Sequence, residues 1–119
     1  MSFYVCASNY WPDCYGSPAW TSGDIAWLNR SATLAGDVYD HLDGGTTAIF
    51  EAMVSGNSKP VAIQTRFADD TNPKFGTQRS FSFTMTYDVP GGFDRIRITV
   101  CKNYQQSNQI CSPQYNYWR

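Results

Sequence analysis

Charge is scarce in this chain, and long hydrophobic runs are missing. Only 16% of its 119 residues are Asp, Glu, Lys or Arg; Glu51 is the single glutamate and His41 the single histidine. A net charge of -1 leaves no basic surface to neutralise phosphates, which argues against nucleic acid as a partner. No stretch approaches the roughly 18 apolar residues that a membrane-crossing helix needs. Leucine occurs only at Leu28, Leu34 and Leu42. With glutamate nearly absent as well, strong helix formers are thin and long helices are disfavoured. No Cys-x2-Cys pair occurs, so the spacing of a structural zinc site is lacking. The start, MSFYVCASNYW, has neither a basic segment nor an apolar run, so it is no signal peptide.

What the chain has instead is rings, hydroxyls and alternation. Aromatic residues make up 16%, and Thr, Ser, Tyr, Phe and Val are plentiful, a mix that suits strands. The stretch Arg79 to Cys101 states this most clearly. Phe81, Phe83, Met85 and Tyr87 alternate with Ser82, Thr84 and Thr86; after Val89-Pro90-Gly91-Gly92, Ile96, Ile98 and Val100 alternate with Arg95, Arg97 and Thr99. Period two on both sides of a Pro-Gly-Gly break predicts an antiparallel hairpin with one dry face.

Along the chain, Ser2 to Ala7 reads as a short strand holding Cys6, and Ser8 to Asp24 as a loop rich in Pro, Gly and aromatics. Residues 25–42 are ambiguous. Ile25, Leu28, Ala32, Ala35, Tyr39 and Leu42 recur at helical spacing, but Gly36 and the β-branched neighbours favour two strands, about 25–34 and 36–42. Asp43-Gly44-Gly45 predicts a tight turn. Thr46 to Val54 and Val61 to Phe67 read as strands around a Ser55–Pro60 turn, the second with Val61, Ile63 and Phe67 on one side and Gln64 and Arg66 on the other. Ala68 to Thr77 reads as a polar loop, and Lys102 to Arg119 as a Tyr-rich tail. The expectation is one all-β domain over residues 1–119, a small antiparallel β-sandwich of about six to eight strands.

Four cysteines in a small chain of this kind read as two disulfides and an oxidising compartment, hence a secreted protein with Met1 standing where an export signal was removed. VCASNYWPDCYGSPAW near the start echoes VCKNYQQSNQICSPQYNYW near the end. The simplest pairing is local, Cys6–Cys14 and Cys101–Cys111, although four cysteines allow three connectivities. Arg95-Ile96-Arg97-Ile98-Thr99-Val100-Cys101, then Cys111-Ser112, then Trp118, together with the Val38–Gly44 segment VYDHLDG, resembles small exported β-rich proteins of actinomycetes. That resemblance implies a secreted bacterial sandwich with a local C-terminal disulfide, and it carries over no catalytic residue.

No constellation of catalytic type stands out. His41 has no G-x-S-x-G nucleophile to serve, and Glu51 has no evident carboxylate partner across a cleft. Gly44-Gly45 and Gly91-Gly92 read as hairpin turns rather than phosphate loops. Asp37, Asp40 and Asp43, with Asp69-Asp70, lack the alternate spacing of a calcium loop and read as solvated turn and edge residues. No metal or other cofactor is expected, and the chain reads as a non-enzyme. The candidate binding residues are aromatic: Tyr10, Trp11, Tyr15 and Trp20 in the N-terminal segment, and Tyr104, Tyr115, Tyr117 and Trp118 in the C-terminal one. If the strands bearing Cys6 and Cys101 end on the same side, these rings gather into one rigid contact surface; Trp27 is assigned to the core. The expected role is a secreted protein-interaction module, an adaptor, inhibitor or accessory subunit of an extracellular assembly such as a toxin complex. The alternative is a carbohydrate-binding module, with a small hydrolase as a remote third. The partner would be a secreted or cell-surface protein, or a glycan.

Overall fold

Phe50 is where the two halves of the molecule meet. Its side chain is fully buried, and its ring centroid lies 6.0 Å from Phe3, 5.2 Å from Phe81 and 5.1 Å from Phe83. The computed structural model describes residues 1–7, 14, 16–41, 44–69 and 76–119. Among them are nine strands and no helix: β1 (Ser2–Cys6), β2 (Ala19–Trp27), β3 (Ser31–Asp40), β4 (Thr46–Met53), β5 (Ala62–Ala68), β6 (Thr77–Thr86), β7 (Arg95–Lys102), β8 (Ile110–Cys111) and β9 (Tyr115–Trp118). One antiparallel sheet runs β1-β2-β3-β6; the other runs β5-β4-β7, with β8 and β9 both paired to β7. The expected sandwich is present, and its two sheets face each other across alternate residues. Phe3, Val5, Ile25, Leu34, Val38, Phe83 and Met85 come from the first sheet, and Ala48, Phe50, Ala52, Ile96, Ile98 and Val100 from the second. Burying each of the larger aliphatic or aromatic groups is worth roughly 1.5–3 kcal/mol before chain entropy is counted.

Several local expectations are corrected. Residues 79–101 do not form a hairpin, because β6 pairs with β3 in one sheet and β7 with β4 in the other. The alternation identified the wet and dry sides of both strands but not their partners. The connection between them is fastened to both sheets in turn. Tyr87 N donates to Arg30 O on the first sheet's β2–β3 turn, and Asp94 N donates to Met53 O on the second. Between these anchors Phe93 is fully buried. Gly92, at a φ of 57°, lies against the Arg30 backbone where a Cβ would not fit. The Gly44-Gly45 segment likewise leads from β3 in one sheet to β4 in the other rather than closing a hairpin.

Residues 25–42 contain no helix among the described positions, and the break falls at Leu28–Arg30 instead of near Gly36. β2 also starts earlier than expected, since residues 20–24 pair with both β1 and β3, and Ala19 pairs with β3. Gly36 sits opposite Gly23, and a Cβ on either would run into the facing backbone, so this pair permits a close approach that no other residue type would. In β5 the two sides separate as the pattern indicates, but the apolar side faces out. Ile63 and Phe67 are each 55% exposed, while Arg66 lies 4.5 Å over the Phe83 ring. The C-terminal tail contributes β8 and β9, which carries the strand count above the expected range.

Candidate functional site

Both disulfides form locally, Cys6–Cys14 and Cys101–Cys111, and they lie at one end of the sandwich. Cys6 is in register with Trp20, and Trp20 with Tyr39. The next residue, Asp40, is fully buried and accepts hydrogen bonds from Lys102 Nζ at 2.5 Å and Thr46 Oγ1 at 2.7 Å. Lys102 also donates to the His41 carbonyl at 2.6 Å, and it directly follows Cys101. A buried ion pair therefore joins the two sheets beside the two bridges. The strands bearing Cys6 and Cys101 end together, which was the condition for a shared ring surface.

The rings themselves meet that condition only in part. Tyr10, Trp11 and Tyr15 lie outside the described residues. Trp20 stands half-buried on the outer face of the first sheet, and it is accompanied there by two residues not singled out from sequence, Tyr4 and Tyr39. The Trp20 and Tyr39 rings stack with centroids 5.1 Å apart and planes 15° apart; Tyr4 meets Trp20 edge-on at 5.7 Å, and His41 lies 6.4 Å beyond Tyr39. The signal was available for Tyr4, which is out of phase with the buried Phe3 and Val5. Tyr39 becomes its neighbour only through the β1-β2-β3 register. Flanking this row on the same face, Ser80 Oγ donates to Asp37 at 2.7 Å, and Ser2 Oγ to Asp24 at 3.1 Å.

Tyr104 follows β7 at the bridged end and is half-buried. Tyr115, Tyr117 and Trp118 are carried away from that end, because β9 pairs antiparallel with β7 and leads back along it to Arg95. Tyr117 packs against the core, 6.2 Å from Phe3, and burial pushes its hydroxyl pKa up, partly offset by a hydrogen bond with the Tyr4 backbone. Burial also raises the Tyr115 pKa. Trp118 remains 53% exposed at the opposite end, with the Arg95 guanidinium 4.9 Å from its ring centre. The five nominated rings among the described residues therefore do not form one cluster. Trp27 sits where expected, tilted against Phe93 at 5.8 Å.

The titratable residues considered for chemistry are separated by the sheet geometry. Asp37 faces outward and Asp40 inward, and Asp43 and Asp70 lie outside the described residues. Among the described residues no three His, Cys, Asp or Glu come together. Glu51 forms a two-pronged ion pair with Arg97, at 3.0 and 3.2 Å, on the outer face of the second sheet. Among the described residues no helix is long and apolar enough to cross a membrane.

The class so defined is a small all-β sandwich clipped by two local disulfides, a covalent chemistry consistent with an oxidising environment. Compared with family models, curated proteins and solved structures, the chain matches none.

Proposed function

We propose that this chain is a secreted, non-catalytic protein-interaction module of bacterial origin, an adaptor, inhibitor or accessory subunit within an extracellular assembly such as a toxin complex. The observation that carries the reading is the row Tyr4, Trp20, Tyr39 on the outer face of the first sheet, beside the bridged end. The Trp20 and Tyr39 rings cover one another's faces and Tyr4 meets Trp20 edge-on, so the row offers the rigid area of paired rings. A sugar ring stacks on a free aromatic face, whereas a protein contact uses edges, hydroxyls and the rigid area of paired rings. The disulfides and the buried Asp40–Lys102 pair hold the row's base, so little conformational freedom is lost on binding.

The test is a photo-crosslinking side chain introduced at Tyr4 or Tyr39 of the disulfide-intact protein, with Thr86 at the far end of the same face as control. Exposure to the extracellular fraction of the source should join one heterologous protein to the row and none to Thr86. Trp20→Ala should abolish the product while the protein remains folded at the temperature of the assay. Equal capture at all three positions would defeat the reading. A second reading, a carbohydrate-binding module, is favoured by Trp118, whose ring is largely exposed with the Arg95 guanidinium against it. It predicts retention on insoluble polysaccharide that is lost in Trp118→Ala and kept in Trp20→Ala.

A further inference from the structure

Strand β5 is an edge with its apolar side turned to water. It pairs with β4 alone among the described residues, and Ile63 and Phe67 project from it. Most edge strands are protected by outward charge, proline or shortness. β6, an edge strand of the other sheet, exposes Gln78, Arg79, Ser80 and Ser82. β5 spans seven residues, AIQTRFA, and its only charge, Arg66, points inward, where it donates to Gln64 Oε1 at 2.9 Å.

The order of those seven residues reads nearly alike from either end about Thr65. Ala62 mirrors Ala68, Ile63 mirrors Phe67, and Gln64 mirrors Arg66. We propose that β5 pairs with β5 of a second copy of this chain, antiparallel about a two-fold axis through Thr65. Such an axis makes each contact occur twice. On the outer side it sets Ile63 against Phe67 of the other copy, and Thr65 against Thr65. On the inner side it sets Arg66 against the Gln64 amide of the other copy, the same group it bonds within its own chain. The flanks agree in sign: exposed Lys59 precedes the strand and exposed Asp69 follows it, so antiparallel approach brings opposite charges to both ends. A parallel approach would place like charges side by side. The pairing joins the second sheets of the two copies into one continuous sheet and leaves both Tyr4–Trp20–Tyr39 rows open, giving a two-armed module. The two-armed role rests on the binding reading above; the dimer does not.

Sedimentation of the full, disulfide-intact chain decides the matter, and a concentration-dependent dimer is expected. Phe67→Glu should raise its dissociation constant at least about tenfold, and adding Ile63→Lys to Phe67→Glu should recover most of that loss, because the two new side chains face each other across the axis. Thr65→Cys should form an interchain disulfide on mild oxidation, whereas Ser82→Cys on the other sheet should not. A wild-type chain that stays monomeric at high concentration, or a dimer indifferent to Phe67→Glu, overturns the pairing. A monomer that still takes a protein on the ring row would leave the binding reading standing; a dimer with no partner there would do the reverse.

Discussion

The two ends of this sandwich are closed by different means. At the bridged end, two disulfides and a buried Asp40–Lys102 pair fasten β1, β3 and β7. At the other end there is no cysteine, and two aromatics, Phe93 and Trp27, pack together there with Arg119 laid across them. The Arg119 guanidinium is 4.8 Å from the Trp27 ring centre and 5.7 Å from that of Phe93, and it donates to the carbonyls of Phe93 and Leu28. One end thus relies on covalent links and charge excluded from water, the other on apolar area and a cation resting on rings. The ring row proposed for binding sits at the first end, beside the two bridges.

The sharpest way to break this contrast is Lys102→Met. It leaves the fully buried Asp40 carboxylate without its ammonium partner, and loss of one member of such a pair costs about 3–5 kcal/mol. Urea denaturation should show that fall, and adding Asp40→Asn should restore a large part of it. If the single variant loses no more than an exposed charge would, the pair is not what joins the sheets. Next in size come the bridges. Replacing Cys101 and Cys111 by Ala, or Cys6 and Cys14 by Ala, should each cost roughly 2–3 kcal/mol, because each bridge closes a short loop in the unfolded chain. Hydrogen exchange should then quicken at Trp20, Tyr39 and Lys102 and stay unchanged near Phe93.

The contrast also marks how far the sequence could be read. Alternation in 61–67, 79–87 and 95–101 was enough for strands and for an all-β sandwich, because period two follows directly from one wet and one dry face. The local bridges were the simplest of three pairings, and Cys101 and Cys111 prove to be direct cross-strand neighbours. Partner choice was not legible. Gly91-Gly92 looks like a hairpin turn until Tyr87 and Asp94 are seen bonded to different sheets, and nothing local to 79–101 encodes Arg30 or Met53. The ring site was half legible for the same reason. Trp20 stood out as a large aromatic in a cysteine-flanked segment, while Tyr39 becomes its neighbour only through the β2–β3 register. Tyr115 to Trp118 read as part of the same surface because their pairing with β7, which leads them away, joins segments about twenty residues apart.

At the cysteine-free end the expected effects are smaller. Arg119→Ala removes the cation from two rings and two charge-assisted donors, for a loss of about 1–2 kcal/mol. Arg119→Lys should retain the charge but not the planar fork, and fall between wild type and alanine. Thermal melts of the three proteins test this order. If lysine serves as well as arginine, the guanidinium geometry is not what seals that end.

The smallest effect concerns Asp94, at the same end, and it depends on pH. Burial alone would raise this carboxyl's pKa, but hydrogen bonds from Ser55, whose backbone N lies 2.7 Å from Oδ2, and the positive charge of Arg95 outweigh that and leave it below 3.8. A carboxylate whose pKa is lower folded than unfolded contributes stability that is present above the unfolded value and lost as pH falls through the folded one. Wild type should therefore exceed Asp94→Asn in stability by a constant margin at neutral pH, and the margin should shrink below pH 3.8. The side chain is 36% exposed, so solvent keeps that margin small. A margin that instead grew on acidification would mean the carboxyl is held in its neutral form. In that case burial, and not the Ser55 and Arg95 contacts, would govern the end of the molecule that has no bridge.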